Sequence, residues 1–426
     1  MKPTQLNSAK TATPSPKEDK RDANATPVAV TPMAGLVIKD SPGTATRTPV
    51  AGVGASDSVL ADEVGVRWSI QQRQGPRSAQ EDRAVAKVDD RQLAHAYFGV
   101  FDGHGGSDAS EYCAAHLHEH VLASPFMPHL ASALRDAFLR ADANMLHDLA
   151  SRGQRKGWDA GTAAVVMTAT ASQLTLAHSG DCRAILVKRS SSSTSSVPFI
   201  ELTSDHVAEY DGGQCAGGPD ESGKTDGVIN ASSHGATTSE RLRIEAAGGA
   251  LVMGDYVCVD DHTLPMTRAL GDLPLKVASG RCWRETPVSS QVVTALPEVR
   301  VHARQADDLC VVLASDGLFG NVMSSSEVAA CARDHLEGAN ADTAGDCELR
   351  AARCLADRAL CDRHGSDNVS VIVVRLEPPP QIPVSPPPIR VVEEQHAHLD
   401  QKLHVGFSIA YPMAANSSRR CSSSVH

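Results

Sequence analysis

Hydrophobic and polar positions alternate with period two in VRWSIQQ from Val66 and again in DRAVAKV, so two strands are predicted, joined across RQGPRSAQE. A continuous apolar run, Tyr97 to Phe101, predicts a buried strand that stops at Asp102, Gly103 and His104, where two further glycines turn the chain. A helix follows to about Leu122, with Ser107 as its cap. In a second helix Leu134, Ala137, Phe138, Ala141, Met145 and Leu149 share one face. Gly161 to Lys188 reads as a meander of three strands, AAVVMTA, QLTLAHS and RAILVK, followed by PFIEL. Thr237 and Glu240 have capping-box spacing for the short helix ERLRIEAAGG. The run LCVVLAS ends at Asp316 and Gly317, repeating the design of Asp102 and Gly103. Ser324 and Glu327 cap another helix, a longer one spans Asp342 to about Arg363, and SVIVVRL is the last strand.

This patterning is confined to one region, predicted as a single domain over residues 63–377. Residues 1–62, rich in Thr, Ala, Pro and Ser, read as a disordered leader, and residues 378–426, opening on PPPQIPVSPPP, as a Pro-rich and then disordered tail. Within the domain, 207–236 is a long polar, Gly-rich insert. Forty basic against 51 acidic residues give a net charge of −11, with no Lys/Arg cluster to track a phosphate backbone, so nucleic acid is not an expected partner. No apolar run reaches the ~18 residues that span a bilayer, and neither a signal-peptide core nor an N-myristoylation pattern is present, so no membrane association is expected. Eleven scattered cysteines without a CxxC point to a reducing compartment, cytoplasm or nucleus. Cys347, Cys354 and Cys361, seven apart, share a helical face, which reads as packing and not as a zinc site; the histidines show no metal-ligand spacing.

The candidate chemistry lies where strands end. Asp102 can bridge two cations, Gly103 can offer a carbonyl unscreened by a side chain, and His104 can supply a proton near neutral pH, although an ordinary turn uses the same Asp-Gly step. Arg77 has the donor fork that suits a phosphate oxygen pair, or equally a surface carboxylate. Asp181, Asp316 and Asp367 also stand at strand edges, and Glu81 and Asp82 are adjacent. If the fold gathers these groups, any two at 4 Å repel by about 4 kcal/mol at an effective dielectric near 20, so they either protonate or hold cations. All-oxygen ligation suits Mg²⁺ or Mn²⁺ over Zn²⁺.

The stretches RSAQED, FGVFDGHGG, GTAAVV with LAHSGDCRAIL, LTSDH, ERLRIEAAGG, TRALGD, LASDGLF and DNVSVIVV resemble, in order and spacing over about residues 65–376, the metal-dependent Ser/Thr protein phosphatases, the PPM or type-2C family. The resemblance implies an α+β fold, a sandwich of two mainly antiparallel β-sheets flanked by α-helices in four layers, α/β/β/α. It implies two Mn²⁺ or Mg²⁺ ions at one end of the sandwich. Asp102 bridges both, the Gly103 carbonyl joins one, Asp316 and Asp367 complete the second, and Glu81 and Asp82 serve the other largely through waters. It further implies hydrolysis of phosphoserine and phosphothreonine in proteins by in-line attack of a metal-bridged water, with Arg77 clamping the phosphate and His104 as general acid. A monomer acting on phosphorylated proteins is the expected form. The chain departs from the family where SDG is followed by LFGN: Phe319 replaces Trp, and Gly320 replaces an Asp that, with Asp181, serves a weak third metal, a loss that Asn321 next door partly compensates. Cys182 stands where Ser is frequent. Gly320 and the low-complexity flanks also fit a catalytically weak relative acting as a phosphoprotein-binding scaffold.

Overall fold

The computed structural model describes residues 61–89, 91, 94–153, 157–189, 197–208, 234–253, 255–319, 322–337, 346–379 and 390–391, with side chains not described at 234–239 and 390–391. All of the expected leader but Ala61 and Asp62, most of the insert, nearly all of the tail, and Gly320 and Asn321 lie outside these residues. Fifteen strands are described, β1 (Val66–Arg73), β2 (Arg83–Asp89), β3 (His95–His104), β4 (Gly161–Ala169), β5 (Gln173–Ser179), β6 (Arg183–Lys188), β7 (Phe199–Glu201), β8 (Ala250–Val252), β9 (Tyr256–Val259), β10 (His262–Leu264), β11 (Leu270–Gly271), β12 (Glu298–Ala303), β13 (Asp308–Ala314), β14 (Val369–Leu376) and β15 (Arg390–Val391). The helices are α1 (Asp108–Leu122), α2 (Leu130–Arg152), α3 (His234–Ala247), α4 (Ser325–Glu337) and α5 (Cys347–Asp357).

Two sheets carry the fold, one ordered β1-β14-β13-β6-β7 and the other β15-β12-β5-β4-β3-β2 with β11 on β4; β8, β9 and β10 form a separate small sheet. Successive side chains of β3 part company: Phe98 and Val100 join Val165, Met167, Val311, Leu313 and Ile372 between the sheets, whereas Tyr97 and Phe101 pack under α1 and α2 with Leu117, Leu134 and Phe138. On the outer face of the other sheet, Ile185, Val312 and Val373 meet α4 and α5 through Val328, Ala332, Ala351 and Leu355. The layers are therefore α/β/β/α, each sheet buried on both faces.

Several expectations need correction. Strand β3 does not stop at Asp102: it runs on to His104, and Asp102 and His104 are paired with Ala163 and Gly161. The predicted three-strand meander breaks after β5, because β6 crosses at Gly180–Cys182 into the other sheet and pairs with β13 and β7. The two strands predicted on either side of RQGPRSAQE are present as β1 and β2, and they lie in different sheets, β1 on β14 and β2 on β3. Ser107 makes no side-chain cap, its Oγ going instead to Glu111 at 3.0 Å. Helix α3 begins at His234, ahead of the predicted capping box, and the long predicted helix is α5 followed by a wide turn at Arg358–Asp362. The Ser324–Glu327 capping box is present, Ser324 N donating to Glu327 Oε2 at 2.9 Å and Glu327 N to Ser324 Oγ at 3.3 Å. Where the chain enters and leaves, β1 and β14 pair along their whole length, from Val66↔Leu376 to Arg73↔Val369. Buried Arg304 ties this end by donating to the carbonyls of Val64, Gly65, Thr170 and Glu377.

Candidate active site

Antiparallel pairing brings the chemistry to one rim. The end of β3 meets the start of β4, the end of β13 meets the starts of β6 and β14, and the end of β1 meets the start of β14. Asp102 at the end of β3 and Asp181, Asp316 and Asp367 in three connections thereby converge, with Arg77, Glu81 and Asp82 in the link between β1 and β2. Asp102 is within hydrogen-bonding reach of both Asp82 and Asp316, and feels the charge of Asp181. Burial, then the neighbouring acids, hold Asp102 well above the ordinary carboxylate range; burial likewise pushes Asp82 up to about 6 and Asp181 up to about 7, and raises Asp316.

This crowding, a set of oxygen donors without thiol or imidazole, fits hard divalent cations. Oδ1 of Asp82 and Oδ1 of Asp181 are buried without a hydrogen-bond partner, which leaves each free to take a cation. The other Asp82 oxygen is held, Oδ2 accepting from Ser315 Oγ at 2.9 Å. Gly103 is buried, and a Cβ there would stand 2.5 Å from the carbonyl oxygen of Glu81, so no side chain screens its backbone.

Arg77 lies at the edge of the cluster, its side chain 55% exposed, Nε donating to Ser366 O at 3.1 Å and Nη2 to Asp367 Oδ2 at 2.5 Å. The Asp367 carboxylate thus aims the guanidinium and leaves Nη1 over for an anion. Asn368 positions the whole connection: its Oδ1 accepts from Glu81 N at 2.8 Å, and its Nδ2 donates to Gln74 O at 2.7 Å and Ala79 O at 3.0 Å. Ser110 on α1 donates to the Glu81 carbonyl.

His104 faces Asp272, with Nε2 2.9 Å from each carboxylate oxygen. Burial disfavours the imidazolium, but the charge and hydrogen bond of Asp272, with the charges of Asp181 and Glu81, together outweigh it and raise the His104 pKa. The pair closes only because residue 161 is glycine: a Cβ there would stand 2.1 Å from Asp272 Oδ2 and 2.4 Å from His104 Nε2. Asp272 is held in turn through its neighbours, with Gly271 N donating to buried Asp142 at 2.8 Å and Lys276 Nζ 3.2 Å from the same oxygen.

A further buried hub anchors this loop to α3. Glu240 accepts from Arg268 Nη2 at 2.6 Å, Arg243 Nη2 at 3.0 Å and Thr267 Oγ1 at 2.8 Å. Glu240 is therefore a core ion-pair acceptor, not half of a capping box. Asp205, paired with Arg183 at 2.6 Å, adds its charge to the field at Asp181 and Asp316. Sequence reading missed Asp272, Asp205, Glu240 and Asn368 as site builders. Each sits inside one of the conspicuous stretches, but each acts on a group far away in the chain. A cavity lined by Val64, Arg67, Arg304 and Glu377 lies at the opposite end of β1 from this rim and contains none of these residues.

A family model for protein phosphatase 2C matches residues 66–211 and 224–369. The chain is 32% identical to "Probable protein phosphatase 1N" of Mus musculus over 346 residues, covering 80% of this chain and 70% of the mouse protein. It is 28% identical to "Protein phosphatase 2C homolog 2" of Schizosaccharomyces pombe over 320 residues, 73% of this chain and 74% of that one. The fold is similar to a crystal structure of serine-threonine phosphatase 2C from Toxoplasma gondii, with a TM-score of 0.55, 20% identity, and coverage of 74% of this chain and 95% of that one. Layers, rim and family match coincide, and the chain belongs to the protein phosphatase 2C family, a family of metal-dependent protein phosphatases.

Proposed function

We propose that this chain hydrolyses phosphoserine and phosphothreonine in proteins, using two Mn²⁺ or Mg²⁺ ions held by Asp102, the Gly103 carbonyl, Asp316 and Asp367, with Glu81 and Asp82 serving largely through waters. The observation that carries this reading is the convergence of Asp82, Asp102, Asp181 and Asp316 in one partly buried cluster whose mutual repulsion calls for cations. When bound, divalent ions lower the pKa of water and neutralise charge on a transferring phosphoryl group. Asp181 is the natural ligand of a weaker third ion. Arg77, aimed by Asp367, receives the substrate phosphate at the mouth of the site. His104, with Nε2 committed to Asp272, is left with Nδ1 to pass a proton to the departing Ser or Thr oxygen. Asp272 fixes the ring and stabilises its charged form, as the acidic partner of a catalytic histidine does. Nine free cysteines among the described residues support a reducing compartment, cytoplasm or nucleus, as its place of action. In the same reading the chain works as a monomer on phosphoprotein substrates.

The test is p-nitrophenyl phosphate hydrolysis by the full chain with Mn²⁺, then with EDTA, followed by a phosphoserine peptide. Metal-dependent turnover of both is expected; equal inactivity with and without metal would favour a phosphoprotein-binding scaffold. His104→Ala should slow the peptide, whose leaving group is poor, far more than p-nitrophenyl phosphate.

A further inference from the structure

A second cluster of ligating groups lies on the outer face of the β1-β14-β13-β6-β7 sheet, where α4 packs on α5. Cys331 and His335 are four apart on α4 and so share a face, and Cys354 projects toward them from α5. The two sulfurs are 3.3 Å apart, His335 Nδ1 is 3.9 Å from the Cys331 sulfur, and one ligand atom of each residue lies within 4.8 Å of the others. A tetrahedral zinc with its usual bond lengths would set sulfur atoms about 3.8 Å apart and sulfur from nitrogen about 3.6 Å. The cluster needs shifts of only a few tenths of an ångström on both measured edges. Cys331 is buried while Cys354 and His335 are half-buried, so an ion can enter from solvent.

We propose that Cys331, His335 and Cys354 bind one soft divalent ion of the Zn²⁺ class, with water in the fourth place, and that this ion staples α4 to α5. Thiolate and imidazole select such an ion over the Mn²⁺ or Mg²⁺ that suits the carboxylate rim, so one chain would carry two metal chemistries. The Arg358 guanidinium, which hydrogen-bonds the Cys331 sulfur, is placed to stabilise the thiolate as an outer partner. His335 Nδ1 donates to the Cys331 carbonyl at 2.8 Å without metal; ligation through Nδ1 gives up that bond and moves the proton to Nε2. Binding releases the two thiol protons to solvent. The packing face predicted for Cys347, Cys354 and Cys361 holds for Cys347, buried with Ala351 and Leu355, but Cys361 is exposed, and Cys354, half-buried at the edge of the same cluster, also reaches Cys331 on α4.

The experiment titrates Co²⁺ into the reduced, metal-stripped full chain and follows absorbance. Tetrahedral thiolate ligation gives a near-ultraviolet charge-transfer band and intense visible bands, which oxygen-ligated Co²⁺ at the rim does not. The expected result is a band saturating at one equivalent, displaced by Zn²⁺, lost in Cys354→Ser and Cys331→Ser, and weakened at least tenfold in affinity in His335→Asn. Phosphatase activity and far-ultraviolet circular dichroism of His335→Asn should match the wild type, which separates loss of the site from loss of the fold. Zn²⁺ should also raise the thermal midpoint of the wild type and not of Cys354→Ser. Absence of the charge-transfer band in the wild type, or its persistence in Cys354→Ser, overturns the proposal. So does a chain isolated without reductant that is lighter by two hydrogens through a Cys331–Cys354 bond and shows no band after reduction.

Discussion

Replacing buried Glu240 by Gln removes one negative charge from between two half-buried guanidinium groups with almost no change of shape. In the folded chain the pull of Arg268 and Arg243 overcomes burial and holds Glu240 down at about 2, against an ordinary 4.5. That difference corresponds to about 3 kcal/mol of stability near neutral pH. The sign follows from the depressed value: the contribution is complete above pH 4.5 and fades as pH falls toward 2. Glu240→Gln should therefore unfold in urea with a stability about 3 kcal/mol below wild type at pH 7, and the gap should shrink to about half that at pH 3. Because Thr267 and Arg268 lie in the segment that delivers Asp272 to His104, turnover should fall several-fold as well. A gap below about 1 kcal/mol at pH 7, or one that does not narrow on acidification, would refute the assignment of Glu240 as an ionised hub.

Asp316→Ala should abolish Mn²⁺-dependent turnover while unfolding in EDTA no more easily than the wild type, since it removes one of several repelling carboxylates; a lower stability in EDTA would contradict the crowding argument. Gly161→Ala should separate His104 from Asp272 and lower kcat on phosphopeptide, with a smaller effect on p-nitrophenyl phosphate; equal rates on both would show that the pair does not serve proton transfer. Arg77→Ala should lower kcat/KM by roughly 10- to 100-fold, the range for a charged hydrogen bond. Its thermal midpoint should stay near the wild-type value, because the side chain is mostly exposed.

Local patterning made most strands and helices readable, because alternation, apolar runs and capping spacing are short-range signals. It could not tell which sheet a strand joins. RAILVK looks the same whether β6 follows β5 or crosses to β13, and both sheets are buried on both faces, so β3 shows no alternation at all. The carboxylates were conspicuous as acids at the ends of apolar runs. What aims them was not: Asp272 acts on His104 from 168 residues away, and Asn368 pins Glu81 from 287 residues away. Glu240 misled because capping-box spacing and core ion pairing use the same residue type. The Cys331–His335 spacing escaped notice because its third partner lies 23 residues on, across a helix pair.

The full-length pairing of β1 with β14 has a mechanical side. Val66 and Leu376 are partners at one end of the ribbon, so tension applied through the flanking chain would peel the two strands apart rung by rung instead of shearing every rung together. Little force would be needed once peeling began. The Arg304 guanidinium grips the backbone on both sides of that seam, at Gly65 and Glu377, and would be the first knot to take the load.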